Sequence, residues 1–143
     1  MARPFPLSVV TPEKVSWEGN VDSLVIPAHE GQLGILPGHA PLLAQLTPGV
    51  VRIRQGEETR LLAVSGGYVE VFGGKVSLFA ETAELESEID AERARQAVSK
   101  ARSDLRGGAG EPGGSEQTMA ALRLALARLR VADRLRRPPP HSH

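Results

Sequence analysis

The chain has 143 residues, a mass of 15.3 kDa and seventeen basic residues against seventeen acidic ones. This length predicts one domain of roughly 100–150 residues, or a small domain with an appendage, and the balanced charge argues against a globally basic nucleic-acid-binding protein. The absence of cysteine excludes a disulfide scaffold, a thiolate zinc site and a cysteine nucleophile, while 3% aromatic residues argue against a base-stacking surface.

Charge is distributed unevenly along the chain. Residues 1–90 hold six basic and twelve acidic side chains, whereas residues 91–143 hold eleven basic and five acidic ones. The break coincides with a change from strand-like to helix-like patterning, which predicts two domains at residues 1–84 and 85–143. No apolar run approaches the roughly 18–20 residues that cross a bilayer. The N-terminus lacks the apolar core of a signal peptide, so a soluble cytosolic protein is expected.

The first region is rich in proline, which interrupts helices, and its short apolar runs are typical of strands. Its most distinctive segment, residues 30–42, places three glycines and two prolines around four aliphatic residues. The segment predicts a strand, a tight turn at Pro37-Gly38 and a second extended piece. Such a loop beside a rigid sheet is either an ordinary ordered loop or a contact surface.

Further strand-like runs follow between residues 50 and 79. Residues 51–54 and 75–79 alternate between apolar and polar side chains, residues 61–64 are continuously apolar, and residues 68–72 are β-branched and aromatic. Gly73-Gly74 joins two of these runs, as expected for a β-hairpin. Many short strands at close spacing predict an antiparallel β-sandwich or barrel.

The second region predicts a helical hairpin. The first helix is expected at about residues 87–106, where good helix formers dominate and glycine and proline are absent, with Ser87 and Asp90 forming its N-cap arrangement. A glycine-rich linker at residues 107–114 ends this helix. Ser115 then caps a second helix that runs to about residue 137, and residues 138–143 are expected to form a disordered tail.

The second helix carries apolar side chains on both sides of an arginine face, at about 100° of rotation per residue. The arginine face consists of Arg123, Arg130, Arg134 and Arg137. One apolar stripe consists of Met119, Leu122, Leu126 and Leu129, and the other of Leu124, Val131 and Leu135. Two interpretations follow: the helix lies between two packed neighbours in a fixed fold, or it packs in two alternative places.

The sequence indicates no catalytic residues and no metal site. The four histidines match no metal-ligand spacing, and no nucleophile with a nearby base is suggested. Residues 108–113 match the G-x-G-x-x-G pattern, but they follow a helix rather than a strand and contain Pro112. We therefore expect a flexible linker there instead of a dinucleotide site, and a protein that is not an enzyme.

Residues 30–42 resemble the signature of the epsilon subunits of F-type ATP synthases, which are called delta subunits in mitochondria. The resemblance continues through residues 47–51, 64–71 and 79–81, with matching order, spacing and total length. It implies an α+β, mainly β fold, in which an N-terminal antiparallel β-sandwich of about ten short strands precedes a C-terminal two-helix hairpin. It also implies a non-catalytic central-stalk subunit that couples proton translocation to ATP synthesis.

The resemblance further implies partners and a location. The sandwich is expected to contact the gamma subunit and the c-ring, and the hairpin of bacterial members, when extended, enters the alpha/beta head and inhibits ATP hydrolysis. The implied stalk and c-ring contact comprises Glu30, Gln32, Pro37 and His39. The implied inhibitory contact comprises the four residues of the arginine face. The expected location is peripheral, on the cytoplasmic face of the bacterial inner membrane.

Residues 89–94, Ile-Asp-Ala-Glu-Arg-Ala, match the I/L-D-x-x-R-A motif of epsilon subunits that bind ATP. In those subunits the nucleotide holds the hairpin down and relieves inhibition, so ATP is implied as a regulatory ligand, although no cofactor is required. A motif arginine can hold phosphate through its charge and donor geometry. The implied site comprises Glu84, Ile89, Asp90, Arg93, Ala94, Lys100 and Arg128. Lys100 and Leu124 stand where ATP-binding members commonly have arginine.

Two alternative functions stay open. The chain could serve mainly as an ATP-sensing binding module, which predicts saturable ATP binding that is lost in Arg93→Ala. The arginine-rich helix could instead bind an acidic protein or a nucleic acid, which predicts a strongly salt-dependent affinity. The second alternative leaves residues 30–42 unexplained, and no nucleic-acid partner is expected.

Overall fold

A computed structural model describes residues 3–107 and 114–134. Ten strands form the first part of the chain: β1 (Phe5–Val10), β2 (Val15–Val21), β3 (Ser23–Ala28), β4 (Gly31–Ile35), β5 (Leu42–Leu46), β6 (Gly49–Gln55), β7 (Glu58–Val64), β8 (Gly67–Phe72), β9 (Lys75–Ala80) and β10 (Ala83–Leu85). A 3₁₀ turn at Glu86–Glu88 leads into two helices, α1 (Ala91–Arg106) and α2 (Gly114–Arg134).

The strands pair in the order β10-β7-β6-β3-β5-β8-β9-β1-β2, with β4 paired to β3 beside this path. All pairs are antiparallel except β1 with β9, which run parallel. The predicted fold class, a mainly β α+β protein with about ten strands and two C-terminal helices, is confirmed. The parallel pair departs from the purely antiparallel sheet that was expected, because β1 joins the sheet next to a strand that is distant in sequence.

Alternating side chains build one core inside the sandwich. In β6, Val51 and Ile53 are buried while Arg52 and Arg54 are exposed, as the predicted alternation requires. We call the buried set the sandwich core; its members are Phe5, Leu7, Val9, Val21, Leu24, Ile26, Ile35, Leu46, Val51, Ile53, Leu62, Val64, Val69, Val71, Val76, Leu78, Ala80 and Ala83.

Two glycines are required by the backbone itself. In the predicted Pro37-Gly38 turn, the His39 amide donates to the Leu36 carbonyl at 3.1 Å, and Gly38 has a φ of +79°, as the third position of a type II turn demands. Gly67, the first residue of β8, has a φ of +131°, and a Cβ atom there would collide with the Phe79 carbonyl oxygen.

The first helix begins later than predicted. Instead of starting at about residue 87, α1 starts at Ala91, because Asp90 is extended and its carboxylate accepts from the Glu92 and Arg93 amides at 3.0 and 3.2 Å. The predicted end at residue 106 is correct. The second helix begins at Gly114, one residue before the predicted Ser115. Its predicted end at residue 137, linker residues 108–113 and the tail at 138–143 lie outside the described residues.

Helix α2 lies between the sandwich and α1. Ala127 and Val131 pack on Leu61 and Ala63 of β7, with Val50 and Ile89 at the margin; we call these six residues the docking cluster. On another side of α2, Ala125 and Ala132 are also buried, while α1 buries Ala94, Val98 and Ala101 as it packs against α2. In this structure α2 thus lies between two packed neighbours, and the other interpretation, packing in a second place, stays a prediction. Small residues occupy both contacts, and the leucines of the predicted stripes at positions 122, 124, 126 and 129 are only half-buried.

Candidate functional site

An ion pair joins the last strand of the sandwich to α2. The Arg128 Nε atom donates to Glu84 Oε1 at 2.6 Å, and the two side chains are 31% and 26% exposed. The residues are 44 positions apart in sequence, and both belong to the predicted ATP site. In this structure they are therefore brought together, and each is already the other's partner.

The other predicted ATP-site residues divide into two groups. Ile89 lies at the margin of the docking cluster, Asp90 caps α1, and Ala94 is buried, so all three have structural roles in the folded chain. Arg93 and Lys100 are exposed, and their spacing of seven residues places them two turns apart on one face of α1. The cations of this face are accessible to an anionic ligand, whereas the Arg128 guanidinium is engaged.

The segment between sandwich and hairpin is fixed by Glu88, a residue that the sequence analysis did not single out. Its carboxylate accepts from the Leu85 amide at 3.0 Å and from Lys14 Nζ at 3.0 Å. The Leu85 hydrogen bond, followed by the interactions with Lys14, lowers the pKa of Glu88 below its ordinary value. This carboxylate ties the β1–β2 turn to the 3₁₀ turn that precedes α1, and the sequence lacks the polar residue at position 85 that a capping-box pattern would need to signal it.

The predicted stalk contact separates into two places. Glu30 is exposed in the turn between β3 and β4, and Gln32 is exposed near the start of β4, whereas Pro37 and His39 are half-buried in the turn that follows β4. The five residues of β4 hold the two turns roughly 16 Å apart. The structure therefore does not gather these four residues into one cluster, and their contact role stays a prediction.

Of the predicted inhibitory arginines, Arg123 and Arg130 are exposed and share one face of α2. Arg134 is the last residue of α2 that the structure describes, without its side chain, and Arg137 lies outside the described residues. The inhibitory role of this face stays a prediction.

The sandwich also carries an exposed apolar face that the sequence analysis missed. Leu43 on β5, Tyr68 and Phe72 on β8, and Phe79 on β9 are 72%, 56%, 72% and 41% exposed, and we call them the outer apolar face. Tyr68 is paired opposite Phe79, with ring centroids 6.2 Å apart. Clustered exposed apolar side chains mark interaction surfaces. The sequence signal that could have predicted this face is β8, which has apolar residues on both sides of the strand.

Two family models match consecutive parts of the chain. The delta/epsilon chain β-sandwich domain of ATP synthase matches residues 4–86, and the delta/epsilon chain long α-helix domain matches residues 87–133.

Across residues 3–107 and 114–134, no group of three or more potential metal ligands is found, and no helix is long and apolar enough to cross a membrane.

Individual relatives agree with the family models. The chain is 46% identical to the ATP synthase epsilon chain of Halalkalibacterium halodurans over 90% of this chain and 96% of that one. It is 39% identical to the ATP synthase epsilon chain of Desulforamulus reducens over 93% and 100%. A solved chain of the Euglena gracilis mitochondrial ATP synthase shares the fold, with a TM-score of 0.76 at 24% identity, covering 92% of this chain and 82% of that one.

Asp90→Ala is expected to destabilise the hairpin by about 1 kcal/mol, because the amides of Glu92 and Arg93 lose their side-chain acceptor. Asp90→Asn is the matched control, since asparagine caps a helix about as well as aspartate. Urea unfolding followed by helical circular dichroism measures both. Wild-type stability in Asp90→Ala would contradict the capping role, and a loss of ATP affinity in Asp90→Asn at unchanged stability would assign the charge to a ligand.

Proposed function

The chain belongs to the delta/epsilon family of ATP synthase subunits, which are non-catalytic, and we propose on that premise that it is a coupling and inhibitory subunit of the central stalk. In this proposal the sandwich transmits rotation between the proton-driven c-ring and the catalytic head. The hairpin inhibits ATP hydrolysis when it leaves the sandwich and enters the alpha/beta head.

The observation that carries the proposal is the separation of the two apolar clusters. The sandwich core and the docking cluster share no residue. Helix α2 contributes only Ala127 and Val131 to the buried members of the docking cluster. Undocking of the hairpin therefore removes a small contact and leaves the sandwich core intact. A sandwich that stays folded while the hairpin moves suits a subunit that must stay bound to the stalk with the hairpin docked or undocked.

The surface of α2 supports the second position of the hairpin. Arg123 and Arg130 are exposed beside the half-buried Leu126, so the helix offers cations next to apolar area. An acidic surface of the alpha/beta head is the partner that such a face fits, with each exposed ion pair contributing about 0.2–1 kcal/mol.

Two surfaces of the sandwich support its place on the stalk. The outer apolar face presents four large apolar side chains with Glu70 and Glu81 nearby, which fits an apolar patch with basic residues on the gamma subunit. The turns at Glu30 and His39 are left for the c-ring. In a bacterium this assembly would place the chain peripherally, at the cytoplasmic face of the inner membrane.

ATP is proposed as a regulatory ligand and not as a substrate. Arg93 and Lys100 are exposed on α1, where they could bind phosphate groups. Nucleotide bound there in the docked state would stabilise that state by mass action and so relieve inhibition.

The hairpin hypothesis is tested by adding the full chain, or a version ending at Glu86, to an alpha/beta/gamma complex that lacks this subunit. Both versions are expected to bind, because the truncated one keeps all ten strands and the sandwich core. Only the full chain should inhibit ATP hydrolysis, and high ATP should weaken that inhibition. Equal inhibition by both versions would contradict the role of the hairpin, and no binding by either would contradict the stalk assignment.

The outer apolar face is tested with the double variant Leu43→Ser/Phe72→Ser. Both side chains are 72% exposed, so thermal stability should stay unchanged while affinity for the gamma subunit falls at least about tenfold, as for a central interface residue. Met119→Ser is the matched control, since Met119 is an exposed apolar residue on α2 rather than on the sandwich. Undiminished gamma affinity in the double variant would place the interface elsewhere.

A further inference from the structure

We propose that the Glu84–Arg128 ion pair is a latch that holds the hairpin on the sandwich without any nucleotide. The proposal deepens the proposed function and rests on it for the meaning of the undocked state. The position of this contact is its first support. Of the ion pairs formed within residues 3–107 and 114–134, one lies inside α1 and another joins Lys14 to Glu88. The Glu84–Arg128 pair alone among them joins α2 to a strand.

The second support is the small size of the apolar contact that accompanies the ion pair. The buried members of the docking cluster are two alanines, one valine and one leucine. Such a contact removes little apolar surface from water compared with the eighteen buried residues of the sandwich core. A single polar interaction can therefore contribute a large part of the free-energy difference between the docked and the undocked hairpin.

The third support is the environment of the pair. Both side chains are about two-thirds or more buried, and the Nε–Oε1 separation of 2.6 Å is that of a close charge-assisted hydrogen bond. Removing one partner leaves the other charge largely buried and unpaired as long as the hairpin stays docked. Undocking lets water reach both groups, so a broken pair shifts the equilibrium toward the undocked hairpin.

The pair also defines a competition. A phosphate group that accepted from the Arg128 Nε atom would have to displace the Glu84 carboxylate from that donor. An anionic ligand bound at this donor thus exchanges one docked-state contact of Arg128 for another. This competition distinguishes the latch from a preformed ATP site in which Arg128 has no protein partner.

The docked fraction can be measured directly because the chain has no cysteine. Spin labels at Glu57→Cys, exposed in the β6–β7 turn, and at Ala121→Cys, exposed on α2, report the sandwich-to-hairpin distance in the full chain. In nucleotide-free buffer, Glu84→Gln and Arg128→Gln should each raise the ratio of undocked to docked molecules about tenfold, the effect expected for a hydrogen bond between charged groups. The double variant should add little to either single one.

Arg95→Gln is the matched control, since it deletes the same guanidinium from the Arg95–Glu92 pair within α1, and its distances should match those of the parent chain. Unchanged distances in both Glu84→Gln and Arg128→Gln would overturn the latch, as would an equal change in Arg95→Gln. Fluorescence of Trp17, which packs on the sandwich core, monitors folding. If the sandwich unfolded in both variants, the pair would be a folding element and the latch would also be overturned. This experiment does not measure ATP hydrolysis, so a result that overturns the latch leaves the inhibitory function to be tested separately.

Discussion

The position of α2 between the sandwich and α1 is the constraint on which the hairpin depends. A helix with two neighbours must bury two faces, and α2 does so with small residues, Ala127 and Val131 toward β7 and Ala125 and Ala132 on another side. Alanine lets backbones approach closely, but it contributes little transfer free energy. The arrangement is therefore specific in geometry and modest in strength. This combination suits an element that must dock in one place and be able to leave it.

Independence of the two regions follows from the same packing. The sandwich core is complete within the ten strands, and the docking cluster touches it only from outside, through the outward-facing Leu61 and Ala63 of β7. The connection between the regions is fixed on the sandwich side by Glu88, which holds the Leu85 amide and Lys14. In the proposed undocking, the hairpin would pivot near Asp90, where α1 begins.

Much of the fold could be predicted from local patterns. The alternation in β6, the Gly73-Gly74 hairpin and the Pro37-Gly38 turn each depend on a few neighbouring residues, and each appears as predicted. The start of α1 could not be placed, because Ser87 and Asp90 are both good N-caps, and only the structure shows that Asp90 accepts from the first amides of the helix. The parallel β1–β9 pair was missed because it joins the two ends of the sandwich sequence.

The candidate site was predicted less completely than the fold. Family resemblance named both Glu84 and Arg128, but nothing in the local sequence shows that residues 44 positions apart bond to each other. The outer apolar face was missed for a similar reason. Tyr68 and Phe79 look like ordinary strand residues until the register places them together on the outside of the sheet.

Hydrogen exchange of the isolated full chain under native conditions tests the central claim, that the hairpin undocks while the sandwich stays folded. The account predicts that amides of α1 and α2 exchange together at a lower opening free energy than the amides in β6 to β8, because helices stabilised mainly by packing open once they have undocked. Exchange of all these amides at one common free energy would contradict it, because the hairpin would then leave the sandwich only when the whole protein unfolds.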